Sequence, residues 1–587
     1  MSNIDRFSIV TLIFFFLSTT FVIRPLSFRA RLPCLGRTKI TIGLMTAPIM
    51  TIAILWAAQC LGPTQIRNGI VGTDDIKPYN ILLLFISLAY MAITLDVTGI
   101  LQAAAFWVSN KGGNNGRKLY FYFYLLLTAI SAVVGNDPVI LSGTAFLVYY
   151  TAATKLEPMA WLISEFAAAN TASMVLFVGN PTNVVICEGF LVNNAAFTAY
   201  TILPFLACSV SCYLALMFQF RDPKRVPSKM HAIGKLNVRE VLRDPVSACF
   251  GTIWLITCLV VIIIVSFFKI DVWKIALPFA GGKFIFDLCW DHYRYSTGKI
   301  PKFSEQVDAG NDTEENVMAH EIQRAMSSSD AEDLERPATF NTLTNPTSNL
   351  IALSPIPKEK EEPPLCESPT NTPPNPTTES PSTRSSSTNS KSTATPSKLF
   401  PAQREAFHSK HRTLAAHFPT FFTALPRLPF GLIPFAFSQF ILIEALSHQG
   451  WIDVFATWLV RASHRQMIPT IWLIGVLGVV LCNVAGTNIG ATILLTKIVR
   501  TAALPDSTTR AAAIALAVAS NIGAVSFTFS ASLAGLLWTT ILRQKGVTIK
   551  QATFARWNLL PIFLMTVVGL AVVTAEMVVL YPPQKSN

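Results

Sequence analysis

The chain has 587 residues, 51% of them hydrophobic and only 14% charged, with a formal net charge of +12. No single water-soluble core needs so much apolar surface, so lipid is the expected solvent. Lys and Arg fall mainly in short connections between apolar runs, which is the positive-inside pattern of a membrane protein and not a nucleic-acid surface.

In chain order, the clearest apolar runs cover 8–28, 39–61, 79–108, 197–220, 246–268 and 555–580. Each approaches the roughly 20 residues that cross a bilayer as helix, and none alternates as a barrel strand would. The first run is long, lacks a small-residue cleavage site and ends in Arg24 and Pro25, so it is expected as a retained span and not a signal peptide. The ten cysteines form no CxxC or Cys/His pattern and are expected as buried structural thiols. Cys208 and Cys212 share a helix face at i, i+4, and metalloid ligation is the alternative there.

From 291 to 412 the chain turns polar and rich in Ser, Thr and Pro, with the runs KEKEEPP and SPSTRSSSTNSKSTATPSK. Such a segment buries too little apolar surface to fold alone and is open to phosphorylation. The expected organisation is a first membrane repeat over 1–220, a basic cytoplasmic loop over 221–245, the start of a second repeat over 246–290, a disordered cytoplasmic loop over 291–412, and the rest of the second repeat over 413–587. The basic connections at 24–39, 111–118, 221–243, 291–412 and 543–550 share one side if 118–153 and 467–505 enter and leave without crossing. Each half then crosses five times, and an odd number inverts the second copy. Arg461, Arg465 and Arg500 fall on the opposite side in that arrangement.

Self-comparison supports two copies. At a shift of 351 residues Leu95, Gly99, Ala105 and Trp107 meet Leu446, Gly450, Ala456 and Trp458, and Asn170 meets Asn521. At 350, Thr151-Ala152-Ala153 meets Thr501-Ala502-Ala503; at 357, Phe197 and Leu203-Pro204 meet Phe554 and Leu560-Pro561. The expected fold is therefore an all-α polytopic membrane protein of two inverted repeats, each of about five transmembrane helices with a re-entrant hairpin and a broken helix.

Broken helices expose backbone polar groups at mid-membrane, where inverted-repeat carriers place their solute. The 39 residues of 158–196 are nearly twice a simple span and centre on Gly179-Asn180-Pro181-Thr182-Asn183. Gly admits strained backbone, Pro removes a donor, and Asn and Thr bond locally or to a ligand. The second-half counterpart holds Thr528, Ser530 and Ser532, with hydroxyls for amides and no Pro. Two hairpin tips complete the set: Asn136 and Asp137 in Gly135-Asn136-Asp137-Pro138, and Gly486-Thr487-Asn488. Two tips and two breaks would enclose one polar site, with positive helix ends suited to an anion. Asp137 is the leading coupling residue because a membrane carboxylate needs a partner or a function. Asp96, Glu165 and Glu444 also interrupt apolar runs, and Lys497 lies on the second hairpin. Neither a metal site nor a cofactor is expected; a proton or sodium gradient would supply the energy.

At these residues the sequence resembles the arsenite permease and citrate transporter-like families of the ion transporter superfamily, which also holds divalent anion/sodium symporters and sodium/proton antiporters. The resemblance rests on the Asn136-Asp137 tip, the 179–183 break, and Ser520-Asn521 through Ser532 with Trp538 and Arg543-Gln544-Lys545-Gly546, and it covers both membrane halves but not 291–412. It implies a scaffold plus a transport domain, a homodimer, elevator-like movement, and solute contacts at Asn136, Asp137, Asn180, Thr182, Asn183, Gly486, Thr487, Asn488, Ser530 and Ser532. The symporters' Ser-Asn-Thr tip triplets are absent, with Gly486-Thr487-Asn488 the nearest approach, and the Asn-Asp tip leans to the arsenite side, where a proton gradient or a partner ATPase drives extrusion. No Walker motif occurs, so an ATPase would be a separate chain, as would a kinase acting on the loop. The expectation is a secondary transporter of a small anion, oxyacid or metalloid in a plasma or vacuolar membrane. A sodium/proton antiporter, an anion channel and a non-transporting receptor are the alternatives, with an intramembrane enzyme further off. Eight scattered His, of which only His448 lies near an apolar span, give an enzyme little to work with.

Overall fold

The computed structural model of the chain describes residues 4–32, 36–73, 76–230, 234–268, 270–300, 318, 321–325 and 401–582. The connection at Asp74 and Asp75, and most of 291–412, lie outside these. Two compact units divide the chain: Met1–Asp333 with His411–Asn587, and Leu334–Lys410. Of the second, only the first ten residues of helix Pro401–His417 are described.

The first unit is helical, with one departure from the all-α expectation. After helix α1 (Arg6–Ile23), held at its start by Asp5 accepting from the Ser8 amide, an antiparallel ribbon pairs β1 (Leu26–Leu32) with β2 (Gly36–Ile42). The strands occupy most of the basic connection at 24–39. β2 also takes the start of the expected 39–61 run, which continues as the short helix α2 (Thr46–Ala57) and not as one span; the short helix α3 (Pro63–Val71) follows it. The 79–108 run divides too, into α4 (Pro78–Val97) and α5 (Ile100–Gly112), because Gly99 turns into the left-handed region (φ 84°).

Then come α6 (Gly116–Val134) and α7 (Asn136–Ala153), which meet at Gly135. Next are α8 (Pro158–Ala172) and α9 (Pro181–Phe190), separated by a single 3₁₀ turn at Phe177–Gly179, and α10 (Asn194–Gln219). The 221–245 connection carries the one-turn α11 (Val238–Val241). Helices α12 (Pro245–Val265) and α13 (Trp273–Ser296) follow. Beyond the insertion lie α14 (Pro401–His417), α15 (Pro419–Ala424), α16 (Leu432–His448) and α17 (Trp451–Ser463). The chain ends on α18 (Met467–Val484), α19 (Asn488–Thr501), α20 (Asp506–Val525), α21 (Leu533–Gln544) and α22 (Gln551–Leu580).

The same order of elements recurs. Gly99 and Gly450 both open the helix after α4 or α16 with positive φ. Asn170 and Asn521 stand near the ends of α8 and α20, each of which leads into a 3₁₀ turn. Pro204 and Pro561 lie inside α10 and α22.

Nine helices among the described residues are long and apolar enough to cross a membrane. They include the first hairpin arms α6 and α18, at 19 and 18 residues, although 118–153 and 467–505 were expected to enter and leave without crossing. Lipid-facing runs on α10, α12 and α22 keep large apolar side chains exposed, such as Val210, Ile253 and Phe563, whereas α20 is buried along nearly its whole length. Its Ala-rich face lets α18, α8 and α22 approach closely, which is how helices associate where lipid removes the hydrophobic drive.

The insertion is shorter than its polar composition indicated. Helix α13 runs past 290 to Ser296 and α14 begins at Pro401. Met318, Ile322 and Ala325 are buried at helical spacing, Ala325 accepts from the Gly234 amide, and Glu321 accepts from the Asn237 amide (2.9 Å). A local apolar stripe thus docks part of a segment whose average composition reads as unable to fold.

Candidate functional site

The first tip is built by Gly135, whose φ of 90° lets α6 end and α7 begin without an intervening loop. Asn136 then donates from Nδ2 to Asn170 Oδ1 on α8 (3.2 Å). The first break follows from its own residues. Pro181 starts α9 as a favourable first residue, and Asn180 caps it by accepting from the Thr182 amide (3.2 Å). Gly179 has no room for a side chain, since a Cβ there would sit 2.3 Å from the Ser173 carbonyl oxygen.

Asn521, from the second half, ties this break together. Its Oδ1 accepts from Ser173 Oγ (2.9 Å) and Asn180 Nδ2 (3.2 Å), and its Nδ2 donates to Asn183 Oδ1 (2.8 Å). Asn183 Nδ2 in turn donates to the Ser173 and Leu176 carbonyls at the break. Thr182 pairs with Ser520 (3.3 Å). A buried polar network satisfied this fully fixes one geometry.

The second tip resembles the first. Gly486 has φ 85°, and Thr487 caps α19 by accepting from the Gly490 amide (3.3 Å). In the second break Ser532 caps α21 through the Gly535 amide (3.1 Å), while Asn483 Oδ1 accepts from the Phe527 amide (2.7 Å). The Thr528 and Ser530 hydroxyl oxygens are buried with no hydrogen-bond partner among the described residues.

These clusters do not share one chamber. A cavity of about 550 Å³ is walled by Asn136, Asp137 and Gly179 from the expected set, together with Gln102, Arg427 and Gln544. Thr487 and Asn488 border only a small adjoining void, which shares Leu44, Leu533 and Leu536 with the cavity. Asn180, Thr182, Asn183, Gly486, Thr528, Ser530 and Ser532 line neither. The four-cluster site is corrected in this respect: of the four clusters, the first tip and the edge of the first break border the larger cavity, whose opposite wall comes from the second half through Arg427 and the α21 residues Leu533, Leu537 and Gln544. Gly486 is covered by α1, with Val22 Cγ1 3.2 Å from where its Cβ would stand.

The four carboxylates also separate. Asp137, half-buried, reaches the cavity and has no ion pair or hydrogen bond among the described residues. Asp96 is buried beside the same wall, accepts from Ser142 Oγ and pairs with Arg427 Nη1 (3.5 Å). Ser142 also accepts from Gln102 Nε2 (3.0 Å). Glu165 is fully buried between α7 and α8, accepting from Thr144 (3.0 Å), and Glu444 pairs with Lys497 beside Thr73; neither lines the cavity. Cys208 and Cys212 are packed in α10 away from it, and no group of three metal-ligating side chains occurs among the described residues.

Arg427 and Gln102 were not legible as site residues. Arg427 sits in Leu425-Pro426-Arg427-Leu428-Pro429, whose Pro residues signal a kinked connection and whose Arg reads as one more basic loop charge.

These features define a class, an integral multi-pass membrane protein with a polar cavity at a hairpin tip. A citrate transporter family model matches residues 21–292. The arsenical pump membrane protein of Escherichia coli is 26% identical over 260 residues, 42% of this chain and 59% of its own length. A 46 kDa membrane protein of Mycobacterium leprae is 24% identical over 171 residues, 28% of this chain and 39% of its own. The chain thus spans about six-tenths of the length of the arsenical pump relatives it matches. The solved YdaH transporter of Alcanivorax borkumensis aligns over 98% of this chain and 99% of its own at 11% identity and a TM-score of 0.34. The family match and the arsenical pump relatives fit the ion transporter superfamily.

Proposed function

We propose that the protein is a secondary active transporter that moves a small oxyacid, metalloid or anion across a membrane by alternating access, with the cavity at the Asn136-Asp137 tip as its solute path. The observation that carries this is the unpaired Asp137 facing a roughly 550 Å³ cavity alongside Arg427 and the amides of Gln102 and Gln544. A carboxylate without a partner at a positive helix start is suited to taking and releasing a proton or cation. Opening at the first tip while the second is covered is what one end state of an alternating cycle requires. Two inverted repeats, elevator-like movement and a homodimer belong to this reading, as do a proton or sodium gradient as driving force and a separate ATPase or a kinase on the insertion as partners.

Charge favours an uncharged or singly charged solute, with an arsenical as in the name of the arsenical pump relatives the leading candidate, over the multivalent carboxylate of the citrate family's name. Among the described residues the cavity wall holds one cation, Arg427, already paired with Asp96, and one carboxylate, so a trivalent anion would be left uncompensated in a low-dielectric site. Reconstitution into proteoliposomes tests the reading with arsenite, antimonite and citrate under imposed pH and sodium gradients. Saturable, gradient-coupled flux is expected; ohmic conductance, or no flux of any of the three, overturns it.

A further inference from the structure

Within the first compact unit, the polar insertion reaches the wall of the cavity. Met318, 3% exposed, lines the same roughly 550 Å³ space as Asp137. Ile322 and Ala325, at i+4 and i+7 from it, belong to the same buried apolar cluster as Leu236 and Val241 of the 221–245 connection.

Two hydrogen bonds from backbone amides fix the segment to that connection. Glu321, 2% exposed, accepts from the Asn237 amide (2.9 Å) and pairs with Arg324, and the Ala325 carbonyl accepts from the Gly234 amide (3.1 Å). The connection is held in turn to the helices that wall the cavity. The Leu236 backbone exchanges two hydrogen bonds with the Asn110 side chain on α5 (2.9 and 3.0 Å), and the Arg243 amide donates to the Thr98 carbonyl at the end of α4 (3.1 Å). The Val241 carbonyl oxygen lies over Gly99, only 2.1 Å from where a Cβ would stand, so the α4–α5 junction accepts it only as glycine. Since α4 and α5 supply Ala89 and Gln102 to the cavity, an unbroken set of contacts joins the insertion to the space around Asp137.

Docking of this kind is close to balance. Two large apolar side chains are buried and two backbone amides are satisfied, against the ordering of the segment that carries them and the desolvation of Glu321, and these opposing terms are similar in size. Such a contact can form and release.

We propose that Met318 with residues 321–325 is an autoinhibitory plug, which closes the cavity while docked on the 234–241 connection and opens it on release. Met suits a stopper, because its unbranched, flexible side chain fills an irregular gap without demanding a single fit. The inhibitory part rests on the cavity being the solute path; occlusion of the cavity does not.

The test uses the full chain in mild detergent with Ala89→Cys, a cavity position, and follows its reaction with a hydrophilic maleimide by mass spectrometry of the peptide that carries residue 89. Ile322→Asp, which places a charge at a buried site, is expected to raise that rate about tenfold, the gain when a released state populated at about 10% becomes dominant. Met318→Ala, which keeps the anchors and shortens the stopper, should raise it by a smaller factor. Fully buried Cys208 should stay unreacted, which separates release of the plug from loss of the fold; if Cys208 reacts in Ile322→Asp, the Met318→Ala rate decides. In proteoliposomes the same two substitutions, without the added cysteine, should speed flux of whichever of arsenite, antimonite and citrate the wild type carries. Unchanged labelling overturns the proposal, and so does faster labelling with slower flux, which would make the segment a needed part of the wall. Faster labelling with no flux in any form, wild type included, upholds the occlusion and removes the transport reading instead.

Discussion

Asp137 and Asn521 show how one residue acts in two different ways. Asp137 has no partner to lose, so Asp137→Asn is expected to leave thermal stability within about 1 kcal/mol of wild type, as for other changes that break no contact. Gradient-driven flux should fall at least about tenfold; unchanged flux across pH would remove Asp137 from the mechanism. Asn521 is the opposite case, because its single amide satisfies Ser173, Asn180 and Asn183 at once. Asn521→Leu leaves buried amide groups unmatched at about 1–3 kcal/mol each. A thermal unfolding series should show a loss of about 3 kcal/mol or more. Asn180 belongs to that network and not to the cavity wall, so Asn180→Ala should reduce stability while leaving the apparent Km of the remaining active protein within about twofold. A large rise in Km with intact stability would return Asn180 to the solute path.

At the scale of elements, the hairpins and broken helices are pinned to their surroundings by polar pairs that bridge distant segments. Lys497 on α19 pairs with Glu444 on α16 and donates to Thr73 (2.9 Å), with the two charged side chains 9% and 13% exposed. Breaking one half of a nearly buried ion pair leaves the other charge unmatched, at about 3–5 kcal/mol. Lys497→Met is therefore expected to destabilise strongly, and Lys497→Met with Glu444→Gln to recover most of the loss in a double-mutant cycle. Additive effects of the two changes would show that the pair does not hold α19 to α16. The breaks themselves were readable in sequence, because Gly179, Asn180 and Pro181 act through local backbone chemistry. The ends of the 39–61 and 79–108 runs were not. Continuous apolarity reads alike for one long helix and for two elements joined at a turn, and Gly99 decides between them only through its conformation.

For the whole molecule, the insertion is the main lever. Residues 326–400 are polar by composition, and their deletion is expected to leave folding and basal flux within about twofold of wild type. Extending the deletion through 318–325 removes buried Met318 and Ile322, and with Met318 part of the cavity wall. That longer deletion should alter flux or lower stability measurably; identical behaviour of the two would show that 318–325 does not bear on the cavity. The stripe Met318, Ile322, Ala325 escaped notice because composition averages over a long polar segment, whereas docking needs only three apolar residues at helical spacing.

The sequence by itself determined that the chain lives in lipid, that it is helical, and that the helix carrying Gly179-Asn180-Pro181 breaks there. Each of these follows from local properties: apolar run length, backbone freedom at Gly and Pro, and short-range hydrogen bonding. Only the tertiary structure decided which polar residues face a common space. It brought Arg427 to Asp96, joined Asn521 to the first break, opened the Asp137 tip to a cavity and covered the Gly486 tip with α1. Those are contacts between residues far apart in the chain, set by how whole helices pack, and no periodicity or motif encodes them.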